Sequence, residues 1–129
     1  MSVGHLLVTW GDTFASCIRG IFARGTKASP TAAQAEDVQF RVRASSHDGS
    51  AYANSNMEIR FIANENQSNT AHGSRIEFYP TPDGSTTLTK VMTLQDDGNI
   101  NIESGKSYLV NGSPISGGGA SSMRSWFLC

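Results

Sequence analysis

The residue types that could carry out chemistry are scattered along the 129-residue chain and do not form complete motifs. Residues 105–107, Gly-Lys-Ser, resemble the end of a phosphate-binding loop. That loop requires a glycine five positions earlier, where this chain has Ile100. His47 and Asp48 would need a nucleophile elbow to suggest a hydrolase, and no Gly-x-Ser-x-Gly sequence occurs. A turn explains the pair better.

The possible metal ligands also lack the spacing of a known site. The three histidines lie in separate segments, although a trimer could bring three copies of one histidine to a common axis. Residues 96–99 suit a turn better than a calcium loop. Cys17 and Cys129 form neither a zinc motif nor a disulfide framework. We expect no metal, no cofactor and no enzyme activity. The alternative that stays open is glycoside cleavage by two carboxylates that converge in space.

Aromatic residues near both ends are the strongest candidates for contacts with a partner. Trp10 follows a short apolar run, and an aromatic packed in a subunit contact is a better interpretation than a sugar-stacking platform. Trp126, Phe127 and Leu128 follow a Gly/Ser-rich stretch, so they either fold back on their own assembly or insert into a partner.

Charge and hydropathy exclude two classes of partner. The formal net charge is −1, whereas a nucleic-acid surface normally appears as a basic stripe. Arg41 and Arg43 alternate with Phe40 and Val42, which indicates a solvated strand face. No stretch approaches the roughly 20 apolar residues of a membrane span, and residues 6–8 are too few for a secretion signal. We therefore expect synthesis in a reducing cytosol and no membrane insertion.

The elements that must position these residues are most regular between residues 56 and 102. Apolar and polar residues alternate along four short segments, for example Met57, Ile59 and Phe61 against Glu58 and Arg60. Pro-Asp-Gly-Ser at 82–85 and Asp-Asp-Gly-Asn at 96–99 are typical turns. This pattern predicts an all-β fold with an antiparallel meander.

The flanking segments give the domain organisation. Residues 6–10, 14–24, 38–44 and 108–110 are predicted strands, residues 23–34 a polar connector, and residues 32–37 the one place where a helical turn is plausible. We therefore divide the chain into four parts. They are an N-terminal arm at 1–13, a central β domain at 14–112, a Gly/Ser linker at 113–122 and an apolar tail at 123–129.

The amount of apolar material suggests that copies of the chain assemble. Leu, Ile, Val and Phe make up only 26 of 129 residues, yet the near-zero net charge argues against disorder. Strands with so little to bury can share their apolar faces with copies of themselves. Oligomerisation is therefore the first functional expectation.

The order of several short motifs resembles the repeated module of bacteriophage tail fibres, over about residues 18–112. The matching segments are residues 23–31, 37, 48–52, 59–66, 73–78, 84–89, 91–94 and 98–99. The chain departs from the family where a Val-Gly-Ile-Gly run often follows Gly-Asn, since it has Ile-Asn-Ile-Glu at 100–103. The resemblance implies an all-β virion protein, assembled as an intertwined homotrimer on the particle exterior.

Three functional hypotheses follow. The first is a trimeric tail-fibre or spike component that docks to other virion proteins through its ends and meets host glycans through loops such as 64–73. The second is a capsid decoration protein that stabilises the shell. The third is a stand-alone carbohydrate-binding module that uses Tyr52, Tyr79 or Trp10 for glycan contact.

Overall fold

The computed structural model describes residues 16–115, which form nine strands and no helix. Two short hairpins flank a central sheet. The first hairpin pairs β1 (Arg24–Thr26) with β2 (Ser29–Thr31), and the last pairs β8 (Leu109–Val110) with β9 (Ser113–Pro114). Every pairing is antiparallel. The predicted all-β class is confirmed.

The central sheet is a five-stranded meander. Its strands are β3 (Val38–Ala44), β4 (Met57–Ala63), β5 (Ser74–Pro80), β6 (Met92–Leu94) and β7 (Ile100–Ile102), and their spatial order follows the chain. The register places Phe40 opposite Phe61 and Phe61 opposite Ile76. Apolar side chains of neighbouring strands therefore lie in rows on one face, as the alternation predicts.

The turns use the side chains that the sequence suggested for them. The carboxylate of Asp48 accepts hydrogen bonds from the backbone N–H groups of Ser50 and Ala51, each at 2.8 Å. These two bonds lower the pKa of Asp48. Asp97 accepts from the N–H of Asn99 in the same manner at 2.9 Å. His47, Asp48 and residues 96–99 thus shape turns, which confirms that interpretation.

The segment before β1 was predicted to be a strand, and this is wrong for residues 16–23. No strand occurs before Arg24 in the described chain. A side chain at Gly20 would meet the ring of Phe40, since an added Cβ would lie 2.4 Å from Cδ2. The backbone therefore packs directly against a side chain of the sheet instead of pairing with a strand edge. We call residues 16–23 the strap.

The helical turn expected at residues 32–37 is also absent. The segment instead runs beside the end of β4, where the N–H of Glu36 donates to the carbonyl of Ala63 and the N–H of Ala63 donates to the carbonyl of Asp37. Glu36 has a φ of 70°, which a helix does not permit. Pairing with β4 satisfies the backbone groups that a helical turn would have left partly unpaired.

Three smaller differences concern the connections. The predicted polar connector contains the β1–β2 hairpin, in which Gly25 has a φ of 81°. Strand β6 is shorter than the alternation of residues 88–94 predicts, because Thr89 and Val91 bond to β5 only through their N–H groups. Ser113–Pro114, in the range predicted as linker, form β9. The strand predicted at residues 6–10 lies outside the described residues.

Little of the described chain is fully buried. The buried apolar residues are Ala33, Ile62 and Ala63, all near the end of β4. The buried polar residues are Glu58, Glu77 and Thr93, which lie on one face of the central sheet. The unusual location of the buried residues directs attention to the two faces of this sheet.

Candidate functional site

The central sheet has one apolar face and one charged face, because successive side chains of each strand point to opposite sides. The apolar face carries large side chains from all five strands. They are Phe40, Val42, Met57, Ile59, Phe61, Ile76, Phe78, Met92, Leu94, Ile100 and Ile102. The charged face carries Arg41, Arg43, Glu58, Arg60, Arg75, Glu77, Tyr79, Thr93 and Asn101.

None of the large side chains on the apolar face is buried. Val42 and Met57 are each 50% exposed, and the remaining ones are half-buried or exposed. Phe40 and Phe61 contact each other with ring centroids 5.7 Å apart, but within residues 16–115 no second sheet covers the face. An apolar surface of this extent marks an interaction site in soluble proteins.

A shallow apolar groove lies on this face at the end formed by Met57 and Pro80. Its volume is about 630 Å³, and residues 106–109 form one wall. Phe78, Met92 and Ile102 form its floor. We call it the apolar groove.

The charged face is covered by its own side chains. The Glu58 side chain is only 1% exposed, because Arg43 and Arg60 lie over it with N–O distances of 2.6 and 2.7 Å. Burial raises the pKa of Glu58, but hydrogen bonds from Arg60 and Arg43 outweigh that effect and leave the pKa below its usual value. Glu58 is therefore charged at neutral pH.

The ion pairs continue across β5. The guanidinium of Arg60 stacks over the ring of Tyr79 at 3.9 Å, and the Tyr79 hydroxyl donates to Glu77 at 2.6 Å. Glu77 also accepts from Arg75 at 2.8 Å. Burial raises the pKa of Glu77, and the bonds from Tyr79 and Arg75 lower it further than burial raises it.

The network ends at both borders of the sheet. Arg75 also binds Glu36 at 2.6 Å, and Lys90 joins Glu77 to Glu103 with distances of 3.6 and 3.0 Å. We call the set the ion-pair ladder. Its members are Glu36, Arg43, Glu58, Arg60, Arg75, Glu77, Tyr79, Lys90 and Glu103.

The two buried carboxylates of the ladder take part in structural contacts. Both accept hydrogen bonds from cationic or hydroxyl donors. Among residues 16–115 no group of three His, Cys, Asp or Glu side chains is placed to hold a metal ion. The same part of the chain contains no helix that could span a bilayer.

A polar groove of about 620 Å³ lies between two loops at the end of the sheet. Hydroxyl and amide side chains line most of it, including Asn54, Asn56, Thr86 and Thr87. The hydroxyl of Thr81, also in its lining, is shielded from solvent without a hydrogen-bond partner in the protein. Such a lining offers many hydrogen-bond donors and acceptors and almost no net charge.

The sequence-predicted site residues fall in different places. Tyr52 is 78% exposed and lies edge-on against His47, beside the segment that borders the polar groove. One face of the Tyr79 ring is occupied by Arg60, and its hydroxyl binds Glu77. Trp10, Trp126, Phe127 and Leu128 lie outside the described residues. Their roles in docking and glycan contact remain predictions.

Sequence reasoning did not find the ladder. Its signal was present, since Arg43 and Arg60 flank Glu58 in the register that the apolar alternation predicts. Arg43 is accordingly paired, whereas Arg41 is exposed, so the expectation of a solvated face holds fully only for Arg41. Opposite charges at facing positions of neighbouring strands would have identified the pairs.

Comparisons with known proteins show where a similar fold occurs. No family model matches the chain, and no curated protein matches its sequence. Its fold is nevertheless that of a phage tail-fibre domain. It is similar to the carboxy-terminal domain of the bacteriophage T5 L-shaped tail fibre, solved alone and with its intramolecular chaperone domain. Both comparisons give a TM-score of 0.65 and 18% identity over 74% of this chain.

The chain spans only 36% of the first solved structure and 25% of the second. The similarity therefore concerns only part of each of the two solved structures. At the level of the fold, the structural similarity confirms the resemblance to tail-fibre modules.

Proposed function

We propose that this chain is a structural component of a bacteriophage tail fibre, assembled as a homotrimer on the virion exterior. The observation that carries the proposal is the uncovered apolar face on a tail-fibre fold. The described chain buries only Ala33, Ile62 and Ala63 among its apolar residues, too few to offset the conformational entropy of folding. Copies that cover one another's apolar faces would supply the missing core.

The oligomeric state is the first test. Light scattering of purified protein, coupled to size-exclusion chromatography, should give three times the chain mass from micromolar concentration upward. Circular dichroism should show β structure under the same conditions. A folded, stable monomer at dilute concentration would contradict the proposal, because it would show that the apolar face needs no partner.

The location on the particle is the second test. A labelled antibody against the chain should bind the tail region of intact phage in electron micrographs. Labelling distributed over the capsid lattice would favour the capsid decoration alternative instead. Labelling of neither structure would contradict a role in the virion exterior.

The polar groove favours a second candidate function, which is contact with a glycan of the host surface. Its hydroxyl and amide lining suits the hydroxyl groups of a neutral sugar, and Tyr52, next in sequence to the lining residue Ala53, offers an exposed ring for stacking. This function is compatible with a trimeric fibre and also with a stand-alone binding module.

A binding assay with host lipopolysaccharide or capsular polysaccharide tests the glycan proposal. The Tyr52→Ala and Asn54→Ala variants should each weaken saturable binding about tenfold, a typical effect of losing one stacking or hydrogen-bond contact. Ser29→Ala, in the exposed strand β2 and outside this lining, is the matched control and should bind normally. Equal binding by all variants would exclude the groove.

A further inference from the structure

The strap packs on the sheet with one side, and its other side is exposed to solvent. Gly20 packs against Phe40 on the apolar face of its own sheet. Ile18 and Ile21 on either side of Gly20 are 76% and 81% exposed. Two large aliphatic side chains that point away from the chain's own sheet need another apolar surface.

The strap does not cover the apolar groove, which lies elsewhere on the same face. It contacts the sheet at Phe40 in the edge strand β3, whereas the apolar groove lies over β5, β6 and β7. The two unpartnered features are therefore at different places on one molecule. The strap has exposed aliphatic side chains, and the groove has an open apolar floor. Contact between them would remove both apolar surfaces from water.

We infer that the strap of one copy seats Ile18 and Ile21 in the apolar groove of the next copy, so that each strap lies between two sheets. This inference rests on the proposed homotrimer and names the residues that join its copies. A second copy is the occupant because this chain carries both halves of the contact and its residues 16–115 bury few apolar side chains.

The contact has a consequence for symmetry. It joins two different patches, which in the proposed trimer makes it head-to-tail, and a head-to-tail contact that closes on itself forms a ring. A two-fold dimer would instead exchange its two straps reciprocally, so the mass measured by light scattering distinguishes the two arrangements. Three copies in a ring would fill every groove with one strap.

Cross-linking tests the contact directly, because Cys17 is exposed and adjoins Ile18. The test protein carries Cys129→Ser to remove the other thiol and Met92→Cys to place one thiol on the groove floor. A short bis-maleimide should then link chains into covalent dimers and trimers on a denaturing gel. Cys17→Ser in the same background should abolish the linked trimers, since each chain would then offer one thiol.

The matched control is Asn101→Cys with Cys129→Ser, which places the thiol on the charged face of β7 next to β6. It should give no linked chains. Equal cross-linking from the two faces would overturn the inference, as would a bridge within a single chain. If light scattering shows a trimer but no link forms from Met92→Cys, the strap contact is wrong and the homotrimer stands. A monomer would refute both.

A second measurement does not depend on cross-linking. Ile18→Asp combined with Ile21→Asp should raise the concentration at which half the trimer dissociates by at least about 100-fold, because two aliphatic side chains lose their burial. Ser50→Asp combined with Thr70→Asp adds the same charge to exposed loops and should leave that concentration unchanged. An unchanged value in the strap variant would contradict the inference.

Discussion

The burial of the two faces of the central sheet is the reverse of the usual pattern, in which apolar residues are buried and polar residues are exposed. On the charged face, Glu58, Glu77 and Thr93 are buried. On the apolar face every large side chain keeps contact with solvent, and Ile100 is 63% exposed. The described chain thus completes its polar side alone and leaves its apolar side open.

This difference indicates which face supplies the stability. Ion pairs that remain near solvent each contribute about 1 kcal/mol or less, because desolvation and side-chain ordering offset their attraction. Burying one large aliphatic or aromatic side chain contributes about 1.5–3 kcal/mol. Closing the apolar face should therefore dominate the stability of the assembly, and the ion-pair ladder should make a smaller contribution.

The largest expected effect comes from a charge on the apolar face. Phe78→Asp should abolish the trimer, because it removes a ring worth about 3–5 kcal/mol per chain and would bury an unpaired carboxylate. The measurements are mass by light scattering and the midpoint of thermal unfolding. Arg41→Asp is the matched control, since it places the same side chain on the exposed part of the charged face opposite Arg60. A Phe78→Asp trimer as stable as the parent would show that this face is not an interface.

The second-largest effect is expected from acid, which should lower the stability of the fold by protonating its paired carboxylates. The bonds from Arg24 and from the N–H of Gln34 hold the pKa of Asp37 at about 2, and the pKa values of Glu36, Glu58 and Glu77 are also lowered. A carboxyl whose pKa is lower in the folded state stabilises the fold above its unfolded pKa, near 4. That stabilisation is lost as the pH falls from about 5 towards 2.

The midpoint of thermal unfolding, followed by circular dichroism at pH 7, 5, 4 and 3, should therefore decline below pH 5. A variant with Glu58→Gln and Glu77→Gln should show a shallower decline, because two of the titrating groups are gone. Constant or rising stability between pH 5 and 3 would contradict the ladder's contribution.

The sequence predicts the central sheet well because its signals are local. Alternation in β4 and β5, together with the Asp-Gly turns, fixes both the strands and their antiparallel order. The same register also implies the Arg43–Glu58–Arg60 group, which was not inferred although the charges were visible. Reading both faces of a predicted meander would recover it.

The strap and the segment at residues 32–37 could not be predicted in the same manner. The strap follows from Gly20 meeting Phe40, a contact between residues of different elements that no local period encodes. The 32–37 segment is set by backbone bonds to Ala63, the last residue of β4, which is separated from the segment by the whole of β3. Tertiary contacts override the local preference in both cases.

A methyl group added to the strap should have a moderate effect. Gly20→Ala should destabilise the fold by about 1–3 kcal/mol, because the new Cβ would overlap the ring and the Cβ of Phe40, at 2.4 and 2.9 Å. Chemical denaturation measures the change. In a Phe40→Ala background the same substitution should cost clearly less, since the overlapping ring is absent and only the 2.9 Å contact with the retained Cβ persists. An equal cost in both backgrounds would show that the strap does not pack on Phe40.

The smallest effect is expected at the most buried carboxylate, and it offers the sharpest comparison of the faces. Glu58→Gln removes the charge but keeps an acceptor oxygen, and Arg43 and Arg60 are exposed enough to turn towards water. The cost should therefore be about 1 kcal/mol, measured by urea unfolding, and it should shrink in high salt. Glu103→Gln at the ladder's border is the control and should cost less. If Glu58→Gln destabilised the protein as much as Phe78→Asp, the charged face would be a principal source of stability, and the apolar face would lose its place as the dominant one.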